Sequence, residues 1–241
     1  RDGCYIQERM AEHSIAAAVD RTQQAIAAAY ARGGRRGDKV RLLAATKTVT
    51  PQRIREAWVA GIRLFGENRV QERLAKEPEL ADLAAEWHLL GPLQSNKAAR
   101  ALQAFDVIET VASLDLAARL ARLARAPVQV MLEINLAQEP QKHGLAPGEA
   151  EDVVRALAAL PQLRLIGLMA VPPAAADPEA SRPHFAALRA MSERLRAILP
   201  GSPERWELSM VMSHDFAVAV EEGATLMRLG TALFGSRPAN P

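Results

Sequence analysis

The length of 241 residues is enough for one sizeable core, and barrels of alternating strands and helices often reach this size as a single domain. With 49% hydrophobic residues, 24% charged residues and a formal charge of +2, the chain has an ordinary globular composition and no excess of positive charge for nucleic acid. The single cysteine excludes an internal disulfide, no Cys/His cluster has metal-site spacing, and no apolar run reaches membrane-spanning length. We therefore expect a cytoplasmic protein without a metal site, a membrane segment or a nucleic-acid partner.

The chain alternates between helical and strand-like patterns. We expect residues 1–11 to be an N-terminal extension and residues 12–241 to form one domain, with a first helix from about Glu12 to Ala31. A Pro/Ala-rich stretch, Val171–Pro183, is expected to be a long loop. Eight apolar runs separated by helical segments are predicted strands: Val40–Thr46, Ile62–Gly66, Glu86–Leu90, Asp106–Thr110, Val128–Ile134, Leu163–Met169, Trp206–Ser209 and Thr225–Leu229.

This alternation predicts an α/β fold, namely a single (β/α)8 TIM barrel with an extra N-terminal helix. A doubly wound open sheet remains the alternative, because periodicity does not show whether a sheet closes.

Polar residues follow the ends of several predicted strands. Lys47 follows the first strand and Asn68 the second, Ser213 lies beyond the seventh, and Gly230-Thr231 follow the eighth. Because the functional residues of a barrel lie at the C-terminal ends of its strands, we expect these side chains to meet at one mouth. Each position also has a plain structural reading, since a lysine after a strand is usually a solvated amine and an asparagine there commonly forms a turn.

Their chemistry suggests a carbonyl compound that carries a phosphate. The amine of Lys47 can form a Schiff base, and the loops after the last two strands of a barrel often bind phosphate through small residues, hydroxyls and backbone N–H groups. Arg228 lies inside an otherwise apolar strand, where burial of its guanidinium requires a partner. His88 is a candidate base, although a strand histidine satisfied by a neighbour is the commoner case.

Six segments resemble the pyridoxal phosphate homeostasis proteins, the YggS-like family. The match runs in order from about Glu12 to Arg237, and its most specific part is the stretch from His88 to Lys97. The segments are Leu42–Lys47, Phe65–Asn68, Trp87–Lys97, Gly167–Met169, Met212-Ser213 with Asp215, and Arg228–Gly235.

The resemblance implies a fold-type-III barrel, similar to the N-terminal domain of alanine racemase, with pyridoxal 5′-phosphate (PLP) bound as an imine on Lys47. The other implied cofactor-binding residues are Ser213, Gly230 and Thr231 at the phosphate, Arg228 at the pyridine nitrogen and Asn68 along the ring. An arginine does not give up its proton, so it keeps the ring nitrogen unprotonated and weakens the ring as an electron sink. Carbanion chemistry is thereby discouraged.

The implied function is PLP (vitamin B6) homeostasis by a PLP carrier, with no catalytic residue and no substantial turnover. A racemase needs a tyrosine base from a second domain, but the only tyrosines are Tyr5 and Tyr30, both before the first strand. Without a second domain we expect a monomer, with PLP-dependent apoenzymes as partners and Lys97 and Lys142 as candidates for transferring the aldehyde. A fold-type-III PLP enzyme such as an amino-acid racemase is the alternative, and a Schiff-base aldolase is a weaker one.

One departure from the family pattern generates a prediction. Where the family reads Ser-Met-Gly-Met-Ser, this chain has Val211 between Met210 and Met212. A branched side chain excludes the positive φ that glycine allows, so we expect weaker phosphate binding in the loop that carries Ser213. Val211→Gly should tighten PLP binding in a spectroscopic titration, and an unchanged affinity would reject this explanation.

Overall fold

The structure, a computed structural model, describes residues 14–34, 39–173, 176–201, 203–210 and 215–235. In these residues eight parallel strands close into a barrel, with neighbouring strands consecutive in the sequence. A helix follows each strand, and one further helix precedes the first strand. The predicted (β/α)8 barrel with an extra N-terminal helix is confirmed.

The strands are β1 Arg41–Ala45, β2 Leu64–Glu67, β3 Glu86–Leu89, β4 Val107–Val111, β5 Val128–Glu133, β6 Leu163–Ala170, β7 Glu207–Met210 and β8 Leu226–Leu229. The helices are α1 Ile15–Arg32, α2 Pro51–Val59, α3 Val70–Leu80, α4 Ala98–Ala104, α5 Leu114–Leu123, α6 Ala150–Leu157, α7 Arg182–Ile198, α8 Phe216–Glu221 and α9 Thr231–Phe234. Of these helices, none combines the length and hydropathy that a membrane crossing requires.

The predicted loop Val171–Pro183 is shorter than expected. A short 3₁₀ helix, Pro178–Ser181, begins within it and leads directly into α7 at Arg182. The Asp177 side chain caps this turn by accepting from the Glu179 N–H at 3.0 Å. The N–H groups in the first turn of a helix have no acceptor within the helix, so proline, which has no N–H, is tolerated there. Pro178 and Pro183 therefore lie in the first turns of two helices and do not prolong the loop.

Pairing between the first and last strands closes the barrel. Leu43 of β1 lies opposite Arg228 of β8, and Ala44 lies opposite Leu229. β1 pairs on its other edge with β2, so neither edge of the sheet is left open. This closure places the loops after β1 and β8 side by side, and it excludes the open-sheet alternative.

Two apolar clusters occupy the two sides of the strands. The larger one combines strand and helix residues, such as Ala44, Phe65 and Phe185, and forms the layer between the barrel and its helices. The smaller one contains only strand residues and fills part of the barrel interior; its members are Leu43, Leu64, Val107, Met131, Ile166, Met169 and Leu226. Successive strand residues point to opposite sides, so this division follows from the period of two in each strand.

Helix α1 packs against α2, α8 and α9. The Ser14 side chain caps its first turn by accepting from the Ala17 N–H at 3.1 Å, and Gly33 follows its last turn. Ile15, Val19 and Ile26 are buried on one face, at the helical spacing that the sequence showed. An ion pair between Arg32 and Glu221, at 2.8 Å, ties the end of α1 to α8.

Gly167 generates a stability prediction. A Cβ added there would overlap the carbonyl oxygen of Glu207 on the neighbouring strand, and its φ of +153° disfavours other residues. Gly167→Ala should therefore lower the free energy of unfolding by about 2 kcal/mol or more, measured by urea denaturation. The matched control is Gly148→Ala, where nothing lies within 4 Å of the added methyl; it should change stability by less than about 0.5 kcal/mol. Equal effects of the two substitutions would contradict this packing.

Candidate functional site

Lys47 lies at the C-terminal end of β1, on a tight turn that leads into α2. The buried Thr46 follows the strand, and Lys47 itself is exposed. The N–H of Val49 donates to the Thr46 carbonyl at 2.9 Å, and Thr48 has a left-handed φ of +64°. Because this turn reverses the chain directly after the strand, it leaves the Lys47 amine at the mouth of the barrel.

A cavity of about 330 Å³ lies between the loops after β1 and β8. Lys47, Gly230 and Thr231 all line it. Three of the sequence-predicted site residues therefore share one cavity, although Lys47 follows the first strand and Gly230 and Thr231 follow the last; closure of the barrel brings them together. A larger cavity of about 570 Å³, lined by Tyr30 and Arg41 among others, is formed around α1 and the N-terminal end of β1, away from this mouth.

Gly230 leaves space at this mouth. A Cβ added to Gly230 would lie 3.5 Å from the Ala45 carbonyl oxygen, an ordinary van der Waals distance. The packing of the protein itself therefore does not demand a glycine here. Its missing side chain instead enlarges the cavity beside Lys47 and leaves the backbone accessible to a ligand.

Asn68 does not line this cavity. Asn68 is half-buried after β2, and its backbone carbonyl packs so closely on Gly91 that a Cβ at Gly91 would overlap it. Ser213 and Val211 lie outside the described residues, so their predicted roles stay predictions.

Arg228 is buried in the barrel interior, below the mouth. Its guanidinium donates to the Ala170 carbonyl at 3.1 Å, and it lies 3.6 Å from a carboxylate oxygen of Glu109. Burial lowers the pKa of Arg228, whereas the charges of Glu109 and Glu133 act in the opposite direction. An arginine keeps its proton across the accessible pH range, so Arg228 carries a permanent positive charge in the barrel interior. The partner that the sequence required for Arg228 is Glu109.

Glu109 and His88 form a buried hydrogen-bonded pair. The Nδ1 atom of His88 lies 2.6 Å from Glu109, and its Nε2 atom lies 2.8 Å from Glu86. A neutral imidazole has one N–H, so only the protonated ring can donate to both carboxylates. Burial alone would lower the pKa of His88, but the hydrogen bonds to Glu109 and Glu86 raise it above its usual value.

The ionised state of Glu109 follows from the same contacts. Burial alone would raise the pKa of Glu109. The pKa is nevertheless held below its usual value by the hydrogen bond with His88 and by the positive charges of His88 and Arg228. The Ser209 hydroxyl, which donates at 2.6 Å, acts in the same direction. Two opposite charges thus flank a buried carboxylate, which is the condition under which a charge is stable in a barrel interior.

The chain of charges continues to the other end of the barrel. Glu86 accepts hydrogen bonds from Arg41 at 3.1 Å and from Arg205 at 2.8 Å. Both arginines also bond Glu207, at 2.9 and 2.7 Å. The barrel interior therefore contains a continuous line of paired charges beside its apolar cluster, in place of the purely apolar layers usual in such barrels.

A second ionic cluster supports the strand end that carries Lys47. The buried Glu67 accepts from the Thr46 hydroxyl at 2.7 Å and from Lys76 at 2.5 Å, and Lys76 also donates to the Thr46 carbonyl at 2.8 Å. Burial raises the pKa of Glu67, and the hydrogen bonds from Lys76 and Thr46 offset part of that effect. Lys76 thus fixes the residue that precedes Lys47.

The two lysines considered for aldehyde transfer lie elsewhere at the strand ends. Lys142 pairs with Glu139 at 2.6 Å and donates to the Pro172 carbonyl at 3.2 Å, beside a separate cavity of about 250 Å³. Lys97 is half-buried at the end of a 3₁₀ turn, Ser95–Lys97. Neither lysine lines the cavity that contains Lys47.

Sequence reasoning missed Glu109 and Lys76. The sequence did carry a signal for Glu109, because a charged residue interrupts the apolar run Val107–Val111. In the structure, Glu109 is fully buried. In the described residues, no group of three or more His, Cys, Asp or Glu side chains has a geometry that could hold a metal ion.

Comparison with known proteins identifies the class of barrel. A family model described as "Alanine racemase, N-terminal domain" matches residues 10–238. The alanine racemase of Corynebacterium glutamicum superposes with a TM-score of 0.66 at 19% identity, covering 89% of this chain and 61% of that one, which shows a shared fold.

Closer relatives define the family more narrowly. The pyridoxal phosphate homeostasis protein of Pseudomonas aeruginosa is 42% identical over 227 residues, covering 93% of this chain and 94% of its own. PipY of Synechococcus elongatus, solved with PLP bound, superposes with a TM-score of 0.79 at 37% identity, covering 92% of this chain and all of that one. The chain belongs to the pyridoxal phosphate homeostasis protein family, which confirms the resemblance.

The contacts of His88 generate a prediction about its protonation. The raised pKa means that the charged ring stabilises the fold at pH values below about 6.5, the usual pKa of histidine, and that this contribution is lost as the pH rises through the higher folded-state pKa. In ¹⁵N NMR spectra, with the signal assigned through His88→Gln, the ring should titrate with a midpoint above 6.5. Glu109→Gln removes one carboxylate and should lower the titration midpoint. A midpoint at or below 6.5 in the unsubstituted protein would contradict the charged pair.

Proposed function

We propose that this protein binds PLP at the barrel mouth, carries it as a Schiff base on Lys47 and acts in PLP homeostasis inside the cell. The observation that carries the proposal is the cavity in which Lys47 faces Gly230 and Thr231. Family membership supports it, because the relatives bear this functional name and PipY was solved with PLP. When bound, PLP supplies an aldehyde for an amine and a phosphate that can be anchored apart from it.

The cavity fits such a group. A volume of about 330 Å³ lies in the range of small-ligand pockets, and one amine stands at its edge. Gly230 keeps the floor open without being required by packing, and Thr231 adds an exposed hydroxyl. The first N–H groups of a helix have no acceptor within the helix, so those at the start of α9 are free of intrahelical bonds and suit a phosphate. We assign Ser213 to the same phosphate contact.

Arg228 and Asn68 complete the proposed site. The guanidinium of Arg228 lies beneath the mouth and would face the pyridine nitrogen, and Asn68 would lie along the ring from the end of β2. A guanidinium only donates hydrogen bonds, so opposite a ring nitrogen it favours the unprotonated form. This residue therefore opposes the electron withdrawal that amino-acid chemistry on PLP needs.

In the part of the chain that the structure describes, no tyrosine lines the cavity of Lys47, which favours a carrier over a racemase. Among the described residues, Tyr30 is the tyrosine, and it lies on α1 beside the cavity that Arg41 also lines, away from Lys47. We therefore assign no catalytic base and propose delivery of PLP to apoenzymes as the protein's role. We further propose that residues 12–241 act as one domain and as a monomer in the cytoplasm.

Reduction with borohydride tests this function. Incubation with PLP followed by borohydride should place one pyridoxyl group on the peptide that contains Lys47, identified by mass mapping. Lys47→Ala should lose this adduct and the accompanying visible absorption.

Lys39→Ala is the matched control, because Lys39 is an exposed lysine at the other end of β1. It should retain the full Lys47 adduct. Labelling that is spread over surface lysines and persists in Lys47→Ala would overturn the proposal.

A further inference from the structure

The position of Arg228 depends on its contacts inside the barrel. Arg228 reaches across the interior from β8 to the Ala170 carbonyl at the end of β6. Among the described residues, Glu109 provides its one ion pair, at 3.6 Å. A long, flexible side chain with one backbone hydrogen bond has several alternative rotamers, so the carboxylate decides which of them is held.

Glu109 is fixed far more tightly than Arg228. Its two oxygens are fully buried and each has its own partner, since His88 lies 2.6 Å from one and the Ser209 hydroxyl 2.6 Å from the other. His88 lies on β3, the strand beside β4, and Ser209 lies on β7, three strands further round the barrel. Hydrogen bonds to ionised groups are the strong ones, and the full burial of this cluster excludes water as a substitute.

Two further carboxylates, Glu133 and Glu86, lie close to this cluster. Glu133 on β5 also faces Arg228, and one of its oxygens is buried without a hydrogen-bond partner. Glu86 holds the other nitrogen of His88. Burial raises the pKa of Glu133, so Glu109 is the carboxylate that supplies a firm negative charge at Arg228.

We propose that Glu109 is a positioning residue for Arg228, fixed in turn by His88 and Ser209, and that it holds the guanidinium at the place where the pyridine nitrogen of PLP binds. The proposal rests on the proposed function. Glu109, His88 and Ser209 would thus contribute to PLP binding although none of them lines the cavity.

A double-mutant cycle tests this role. PLP affinity and the pH dependence of the absorption spectrum of the PLP-loaded protein are measured for the unsubstituted protein, Arg228→Gln, Glu109→Gln and the double variant. We expect Arg228→Gln to weaken binding about tenfold and Glu109→Gln about threefold or more, because contacting residues couple strongly. The pH midpoint of the spectrum should shift in the same direction in both. In the double variant the effects should equal those of Arg228→Gln alone, to within about twofold.

The control is Glu207→Gln, which removes another buried, ion-paired carboxylate that contacts Arg41 and Arg205 and not Arg228. It should leave the spectrum and the affinity unchanged to within about twofold, even if stability falls. Circular dichroism checks that each variant is folded. If Glu109→Gln does not fold, Glu109→Asp retains the charge, withdraws it by one methylene and enters the same cycle.

The outcomes separate the two claims. If the unsubstituted protein forms no adduct on Lys47 with PLP, the proposed function fails and this inference fails with it. If it does, but the two substitutions multiply in the double variant, or Glu109→Gln matches the unsubstituted protein, only the inference is overturned. Equal loss in Glu207→Gln would show a general effect of stability and would also overturn it.

Discussion

Pairing of β8 with β1 is the constraint on which the site depends. It sets Leu43 beside Arg228 and Ala44 beside Leu229, so the turns that follow the two strands emerge next to each other. An amine from the start of the chain therefore shares a cavity with a glycine and a hydroxyl from its end. The same register places the Arg228 guanidinium one layer deeper. Without closure, Lys47 and Gly230 would stand on opposite edges of an open sheet, and neither Gly230 nor Arg228 would lie near the Lys47 end of β1.

The polar barrel interior is better explained by this site than by stability. Desolvation of buried charges is costly, and well-packed apolar residues of similar volume often stabilise a core as well or better. The barrel nevertheless carries a line of alternating charges from Arg228 through Glu109 and His88 to Glu86. Glu67 and Lys76 make a second ionic contact, beneath the turn of Lys47. One cluster contacts Arg228 and the other contacts Thr46, the residue before Lys47, so both lie against residues of the proposed site.

Much of the fold and part of the site could be predicted from local sequence patterns. Every predicted strand is present, with ends within two residues of the predicted ones, because apolar runs and helical spacing are local properties. Lys47, Gly230 and Thr231 were recognised because they follow strands whose ends must converge. Glu109 was missed because its partners, His88 and Arg228, are defined by neighbouring strands and by the far side of the barrel. The strand register that brings such residues together is not contained in the spacing of one strand. The roles of Ser213 and Val211 remain predictions, as do those of the other assigned site residues.

In the proposed site, one barrel mouth holds an amine, a phosphate anchor and a guanidinium that faces the ring. A crystal structure of the protein grown with PLP tests it most directly. We expect electron density continuous from the Lys47 amine, with the phosphate against the backbone of Gly230 and Thr231 and the pyridine nitrogen towards Arg228. Density for PLP at another lysine, or a ring at Lys47 whose nitrogen faces away from Arg228, would contradict this arrangement.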